Sequence, residues 1–298
     1  MLLYIIKSVG VGNLFLTKIK DNEFEGFEEP LEKVIHTCGQ LINSQSYIDS
    51  FDVHQGEKID INLDLYRKSK FLHKLTLLEV MCKTYNLFFP EEIEPWIEVP
   101  KDNRFEKKIV IHRRSFHPVT AQQRANRLFD WGRLIEILKP ENCIFVSRLE
   151  SEWREFGFSK LEYYSPKDNY EHACILKGSK YFVGNQSFPS ALADAVGANR
   201  IFELSEGHHD RNHFAIKYAK NAWYFANPWD STIKYFRYLK INNNSKRYLD
   251  LKTGQMLTGK LEKYKTNWTE ALIREATYIL KYRKLLFKRM IKDILGYY

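Results

Sequence analysis

Between Tyr181 and Ala193 the chain reads Tyr-Phe-Val-Gly-Asn-Gln-Ser-Phe-Pro-Ser-Ala-Leu-Ala. A short apolar strand enters a Gly184-Asn185-Gln186-Ser187 turn, and a helix follows with Pro189 in its first turn, where a missing N–H costs nothing. Free backbone N–H groups at that helix start, the positive end of the helix dipole and the Asn, Gln and Ser side chains make an anion cradle suited to a diphosphate. The same residues also serve an ordinary capped turn. A second group, His208-His209-Asp210-Arg211-Asn212-His213, holds metal-ligand residue types. Its spacing fits no zinc pattern, so it is read as a loop after a strand end and not as a metal site. Trp223, Tyr224, Phe225 and Trp229 near Pro228 are able to stack on sugars or bases, and clusters of this kind more often pack a core.

The elements that must position these groups follow from periodicity. Lys108–His112 and Cys143–Val146 read as buried strands, with a helix over Arg127–Leu138 between them. Helix Glu150–Phe156, strand Leu161–Tyr164, helix Tyr170–Leu176, strand Tyr181–Val183, helix Ser190–Val196 and strand Arg200–Leu204 continue the alternation. Such βα repetition implies a mostly parallel sheet with helices on both faces and ligands beyond the carboxyl ends of its strands. The loops after Ile111, Val146, Val183 and Leu204 are therefore the places for a site. Upstream, Leu2–Ile6 and Leu14–Ile19 read as strands around the Gly10-Val11-Gly12 turn, Ile59–Leu65 as a half-buried strand, and Ser69–Asn86 as a helix. Pro90, Pro95 and Pro100 punctuate Glu91–Asn103, which reads as an interdomain linker. Downstream, Tyr248–Leu251 and Gln255–Leu257 flank Lys252-Thr253-Gly254 as a hairpin, and a long helix runs from Thr269 to about Leu295. Three regions result: 1–100, 101–231 and 232–298.

Composition limits the partners. The 298 residues are 44% hydrophobic and 28% charged, which suits cored domains and excludes a disordered chain. No apolar stretch is long enough for a membrane span, and Lys7 interrupts the apolar start, so neither a transmembrane segment nor a secretory signal is expected. Cys38, Cys82, Cys143 and Cys174 lack paired spacing and read as reduced thiols in a cytosol. The net charge is +9, yet residues 232–298 alone carry 16 basic and 5 acidic side chains. That confined excess suits a polyanionic partner or surface: DNA, an anionic glycan or an anionic membrane face.

The run YFVGNQSFPSALADAVGANRIFEL (181–204) resembles the C-terminal domain of glycosyltransferase family 9-like enzymes, the heptosyltransferase-like group. IVIHRRS (109–115), the Asp130-Trp131 pair, IFVSRLESEWREFGF (144–158) and Arg211-Asn212 add to the likeness. LINSQSYID (41–49), IDINLDLYRKSK (59–70) and PWIEVP (95–100) extend it more weakly. The resemblance implies an α/β GT-B-like fold: two Rossmann-like domains facing across a cleft, here with a basic C-terminal extension. It implies sugar transfer from a nucleotide-sugar donor to a hydroxyl acceptor, inverting, with no cofactor beyond the nucleotide-sugar as co-substrate and no metal. By position, Arg113, Arg114 and Ser115 match the donor side, Gly184, Asn185, Gln186 and Ser187 complete it with Arg211 nearby, and Glu203 accepts from ribose hydroxyls. Guanidinium groups suit the charge that develops on a leaving diphosphate.

The sequence departs from the family at the catalytic base. Family 9 enzymes carry Asp after an N-terminal Gly turn, whereas Asn13 follows Gly10-Val11-Gly12 here, and an amide cannot accept a proton. Asp64 is the first substitute and Asp60 the second, both read on one face of the 59–65 strand, with Glu23 and Glu25 in reserve. The structural alternative for Asp64 is a loop-start carboxylate that caps the helix containing Arg67. Retention of the fold without chemistry, as a nucleotide-sugar-binding protein, is the reading Asn13 favours. For the acceptor, a cell-surface glycan reached from the cytoplasm at the inner membrane face is preferred to a hydroxylated base in DNA of phage type.

Overall fold

The computed structural model describes residues 2–16, 30–71, 75, 77–88, 94–114, 131–185, 187–203, 222–224, 247–249 and 256–258. Its centre is a parallel sheet built from β3 (Ile109–His112), β4 (Cys143–Val146), β5 (Glu162–Tyr164), β6 (Tyr181–Asn185), β7 (Arg200–Glu203) and β8 (Ala222–Tyr224). Their spatial order is β5-β4-β3-β6-β7-β8. The chain therefore starts in the middle, winds outward through β4 and β5, then returns to the other side of β3. This is the doubly wound Rossmann order, with a topological switch between β3 and β6. α4 (Trp131–Leu138), α5 (Glu150–Phe156), α6 (Asn169–Gly178) and α7 (Phe188–Ala195) connect the strands.

Strand alternation explains why both faces are covered. Ile109, Ile111, Cys143, Phe145, Val183 and Ile201 pack with Trp131, Leu134, Ile135 and Phe156 of α4 and α5. Their chain neighbours Val110, Ile144, Val146, Phe182 and Phe202 pack with Ala173, Ile175, Leu176, Leu192 and Ala193 of α6 and α7. A strand buried on both sides must be apolar at every position, hence the unbroken Ile-Val-Ile and Ile-Phe-Val runs. Where they fall on described residues the helix and strand expectations hold with shifts of a residue or two, and the start of the helix expected over Arg127–Leu138 lies outside those residues.

The first hundred residues differ more. Leu2–Val9 is a helix, α1, where a strand was expected. A continuous apolar run cannot distinguish strand from helix by period, and here the surroundings decide. Ile5 is fully buried against Tyr66, Val80 and Met81, Leu3 and Ile6 face Tyr47, Ile48 and Phe51, and Tyr4 meets Trp96 edge-on. Apolar contact on several sides suits a short helix wedged between elements. β1 (Gly12–Leu16) pairs in parallel with β2 (Ile48–Val53), and α2 (Leu31–Asn43) crosses between them, so the region contains one βαβ unit.

The strand expected at 59–65 does not form. Ile59 and Ile61 are exposed, Asn62 Oδ1 accepts from Asp64 N at 2.9 Å to make a turn, and a 3₁₀ helix covers Leu65–Lys68. Alternation supplies a face but no partner edge, and the parallel edge beside β1 is taken by β2. Helix α3 spans Leu77–Thr84, inside the expected 69–86.

The described part of the proline-punctuated segment, 94–102, is irregular, as expected, but firmly held. Trp96 N and Ile97 N donate to Ala195 O at 2.9 and 3.0 Å, and Asp102 N donates to Cys174 O at 3.0 Å. Gln45 bridges Glu98, accepting from its N–H at 2.7 Å and donating to its carbonyl at 3.3 Å. Leu41, Leu78 and Cys82 share the cluster of Val110 and Phe182, so the first region and the sheet have hydrophobic packing in common. Further on, β9 (Arg247–Leu249) and β10 (Met256–Thr258) form the antiparallel hairpin read from sequence. The long helix of 269–295 lies outside the described residues.

Candidate functional site

Three strand ends converge at the switch point. β3 delivers His112, Arg113 and Arg114, β4 delivers Ser147, and β6 delivers Gly184, Asn185 and then Ser187. Gly184 permits the close approach of β3 and β6. A Cβ there would lie 2.5 Å from the His112 carbonyl oxygen and 2.6 Å from Phe182 Cζ. Asn185 is fully buried and clasps the neighbouring loop, accepting from Arg114 N at 3.1 Å and donating to Arg114 O at 2.6 Å. Its amide thus acts on the backbone as a further strand residue would, and holds the Arg113–Arg114 loop in place.

Ser187 is the N-cap residue of α7, in extended conformation, and Pro189 stands in the first turn. Its hydroxyl is not used on the helix N–H groups. It lies 3.1 Å from Asn185 O, 3.2 Å from Ser190 Oγ and 3.4 Å from His112 Nδ1. Among the described residues the N-terminal N–H groups of α7 have no side-chain cap from Ser187, the property an anion site requires.

Both arginines are engaged by buried carboxylates. Arg113 donates to Glu203 through Nε at 3.0 Å and Nη2 at 3.2 Å, and Trp131 Nε1 donates to the same carboxylate at 2.8 Å. The Arg113 guanidinium also lies 5.7 Å from the Trp131 ring centroid. Glu203 is completely buried. Its carboxylate, expected from the resemblance to meet ribose hydroxyls, serves here to fix Arg113 and Trp131. Arg114 Nη2 is paired with Glu152 Oε1.

Glu152 is the centre that sequence reading missed. His112 Nε2 lies 3.0 Å from its Oε2, and the Ser147 hydroxyl donates to the same oxygen. Burial opposes its charge, but the hydrogen bond and charge of His112, then Ser147 and Arg114, prevail and hold the carboxyl at about 2. Nearby, His172 of α6 is 2% exposed, and its Nε2 has no hydrogen-bond partner among the described residues. Burial first, then His112 and Arg148, push it down to about 3, so it is neutral. The signal for Glu152 was present only as spacing. It is the third residue of α5, directly after β4, but nothing in the sequence pairs it with a residue forty positions earlier.

The expected base candidates sit elsewhere in the chain's hydrogen bonding. Asp60 is exposed and 3.6 Å from Lys58. Asp64 is the N-cap residue of the 3₁₀ helix Leu65–Lys68 but makes no side-chain cap; its Oδ1 accepts from Arg67 Nε at 2.9 Å instead. Asn13 lies in β1, where its Oδ1 accepts from Ser50 Oγ at 2.7 Å, and the Gly10–Gly12 turn precedes that strand instead of following it. Ser115, Gln186, Arg211, Glu23 and Glu25 lie outside the described residues, as does the His208–His213 group. Trp223 and Tyr224 belong to β8. Among the described residues no three His, Cys, Asp or Glu side chains are grouped to hold a metal ion.

No protein-family model matches the chain, and no curated protein matches it. Solved structures do. The chain is similar to heptosyltransferases and a family 9 glycosyltransferase. One is the dodecameric, iron-containing heptosyltransferase TibC in complex with ADP-D-β-D-heptose, at 14% identity and TM-score 0.40, covering 57% of this chain and 48% of that one. Another is E. coli heptosyltransferase WaaC with ADP-2-deoxy-2-fluoro heptose, at 18% identity and TM-score 0.28, covering 42% of each chain. A third is a family 9 glycosyl transferase from Veillonella parvula, at 11% identity and TM-score 0.34, covering 67% of this chain and 59% of that one. The matches span about half the length of the first of these structures. They fall in the group that the residue runs resemble.

Proposed function

We propose that the chain is a glycosyltransferase whose nucleotide-sugar donor lies across the carboxyl ends of β3 and β6. The observation that carries this reading is the switch point itself. It brings the uncapped start of α7, Ser187 and Arg114 together where an open parallel sheet leaves a crevice. The N–H groups of α7 and the Ser187 hydroxyl would donate to the diphosphate. Arg114, 28% exposed at its side chain, would exchange Glu152 for a phosphate oxygen. Each donor is stronger toward the more negative leaving group, so together they favour cleavage of the sugar–oxygen bond. Arg113 would act as a fixed cation behind them, held by Glu203.

The finer assignments belong to the same proposal. Transfer is inverting and needs no bound metal, Asp64 or Asp60 takes the acceptor proton, and Gln186, Ser115 and Arg211 complete the donor contacts. The acceptor is a cell-surface glycan, met in the cytoplasm by a protein held peripherally at the membrane through the basic 232–298 region. A nucleotide-sugar-binding protein without chemistry is the second reading, favoured by the structural use of Asn13 and Asp64 in hydrogen bonds to Ser50 and Arg67.

A panel of UDP-, GDP-, ADP- and CMP-sugars scored by thermal stabilisation tests the donor site. One nucleotide class is expected to raise the melting temperature. Arg114→Ala should weaken that ligand by about 1.5–3 kcal/mol in a calorimetric titration, the range for losing a charged hydrogen-bond partner. Unchanged affinity removes the site. Slow donor hydrolysis without acceptor separates the enzyme from the binding protein.

A further inference from the structure

Away from the switch point, a cavity of about 340 Å³ lies at the seam between α2, the segment 101–103 and α6. Gln40 comes from α2, Lys101, Asp102 and Asn103 from the segment ahead of β3, and Lys167, Tyr170, Glu171 and Cys174 from α6 and the turn before it. The volume is at the small end of the roughly 300–1,000 Å³ range of small-molecule sites, which suits one monosaccharide unit better than a nucleotide-sugar. α6 separates this cavity from the candidate donor site. Tyr170 and Cys174 are one helical turn apart and line it, whereas His172, midway between them in sequence, falls on the opposite side of the helix. That side is the buried one, within electrostatic reach of Arg148 and Glu152.

One wall of the cavity is held rigidly by its own hydrogen bonds. Arg104 donates to Asp102 through Nε at 3.0 and 3.2 Å and through Nη2 at 2.7 Å, and the same Nη2 reaches Glu171 Oε1 at 3.1 Å. Asp102 also accepts from Arg104 N at 3.1 Å, and its own N–H donates to Cys174 O at 3.0 Å, which ties the segment to α6. Gly178 permits that approach, since a Cβ there would strike the Asp102 backbone. Glu171 accepts further from Tyr164 Oη at 2.6 Å and from Lys167 N at 2.8 Å. Burial opposes its charge, but Tyr164, the Lys167 amide and Arg104 hold its carboxyl below the ordinary value. At the floor, burial pushes the Cys174 thiol up to about 11, so it adds no charge.

This bonding leaves a particular set of groups unused. The lone pairs of Asp102 are taken by Arg104, and Glu171 keeps one acceptor position, on Oε2. Among the described residues the side chains of Gln40, Lys101, Asn103, Lys167 and Tyr170 have no hydrogen-bond or ion-pair partner. With Arg104 counted, three cations surround the two carboxylates, so the cavity favours an added negative charge. Two side-chain amides and a phenol both donate and accept, as the hydroxyls of a sugar do, and the Tyr170 ring offers an apolar surface beside them.

We propose that this cavity is a second binding site, for a monosaccharide unit that carries an acid group, either carboxylate or phosphate. Lys101 and Lys167 take the acid through charge-assisted hydrogen bonds. Gln40, Asn103 and Tyr170 exchange hydrogen bonds with the sugar hydroxyls, and the remaining position on Glu171 accepts from one of them. No bond is made or broken there, and the site serves recognition alone. It does not depend on the donor-site reading and stands even if the switch point holds no nucleotide.

Saturation-transfer NMR and calorimetric titration of the full chain with glucuronate, glucose 6-phosphate, glucose and inorganic phosphate, at about 50 mM salt, test the site. At least one of the two acid sugars is expected to bind about tenfold or more tightly than glucose and than inorganic phosphate, and the stronger of the two identifies the acid group. Lys101→Met and Lys167→Met should each weaken it by about 2–5-fold, as for exposed charge pairs, and together by more than about tenfold. Tyr170→Phe keeps the packed ring and should cost about 2–10-fold. Lys58→Met removes a cation that is 91% exposed and outside the cavity, and should change nothing. Glucose or inorganic phosphate binding as well as the acid sugars overturns the proposal, as does an equal loss in Lys58→Met or the absence of binding by both acid sugars. Displacement of the acid sugar by ADP-glucose or UDP-glucose would put it at the switch point and overturns the second site. Acid-sugar binding without any nucleotide-sugar binding overturns the donor site alone.

Discussion

At the scale of single residues, Glu152 concentrates more of the site than any other. One carboxylate holds His112, Ser147 and Arg114 while only 10% of its side chain is exposed. Its folded-state pKa of about 2 lies below the ordinary carboxylate value, so its contribution to stability is present above about pH 4.5 and is lost as pH falls through about 2. At neutral pH the linkage amounts to about 3 kcal/mol. Glu152→Gln is therefore expected to lower stability by about 2–3 kcal/mol at neutral pH and to flatten the loss below about pH 4.5. Urea unfolding at several pH values reads both. Asp64 tests the opposite situation. Its partner Arg67 and its own side chain are 35% and 53% exposed, and such pairs contribute about 0–1 kcal/mol. Asp64→Asn should thus fold normally. If Asp64 is the base, turnover drops by about 10²–10⁴ while donor affinity stays the same. Full activity would move the assignment to Asp60 or to the early carboxylates.

At the scale of elements, the site depends on how closely β3 and β6 approach. His112 pairs with Gly184 across the two strands, and a methyl group at Gly184 would collide with the His112 carbonyl. Backbone cannot swing away as a flexible side chain does. Gly184→Ala should therefore cost about 1–3 kcal/mol by overpacking and also displace Asn185 from Arg114. The expected result is a lower unfolding midpoint together with loss of nucleotide-induced thermal stabilisation. A variant as stable as the wild type and still stabilised by ligand would mean that the strand pair tolerates separation. The same scale shows why some elements were legible in sequence and others not. β4, at Cys143–Val146, and α5, at Glu150–Phe156, were readable to the residue because each is short, uniformly apolar or clearly amphipathic, and bounded by turn residues. Leu2–Val9 and 59–65 were misread because an apolar run and an alternating run specify burial without specifying a partner. Neighbours such as Tyr66, Val80 and Met81 made the first a helix, and β2 took the edge that the second would have needed.

For the whole molecule, charge is the property that remains to be used. The 232–298 region carries 11 more positive than negative charges, while the rest of the chain is close to neutral. Among the described residues no helix is long and apolar enough to cross a membrane. If that region recruits a polyanion, binding to duplex DNA or to anionic liposomes should fall steeply between about 50 and 200 mM salt, through release of counterions. Gel shift and liposome co-sedimentation at the two salt concentrations distinguish the partners. Liposome binding without DNA binding supports a glycan acceptor at the membrane, and DNA binding without liposomes reverses that preference. Binding to neither makes the region a structural extension.

Although Gly184 and Asn185, read as a turn, extend β6, the sequence by itself determined the alternation of parallel strands and helices between 109 and 203, the start of α7 after Ser187, the antiparallel pairing of 247–249 with 256–258 and the confined positive charge. Each of these is local: periodicity, turn chemistry and charge run along the chain and need no partner to be read. Only the tertiary structure decided that Arg113 belongs to Glu203, that Arg114 and His112 share Glu152, and that Asn185 clasps the backbone of Arg114. Those pairs join residues 38 to 90 positions apart. Their meeting follows from the doubly wound strand order, which sets the ends of β3, β4, β6 and β7 side by side. A buried charge must then find its counter-charge among whatever that order brings within reach.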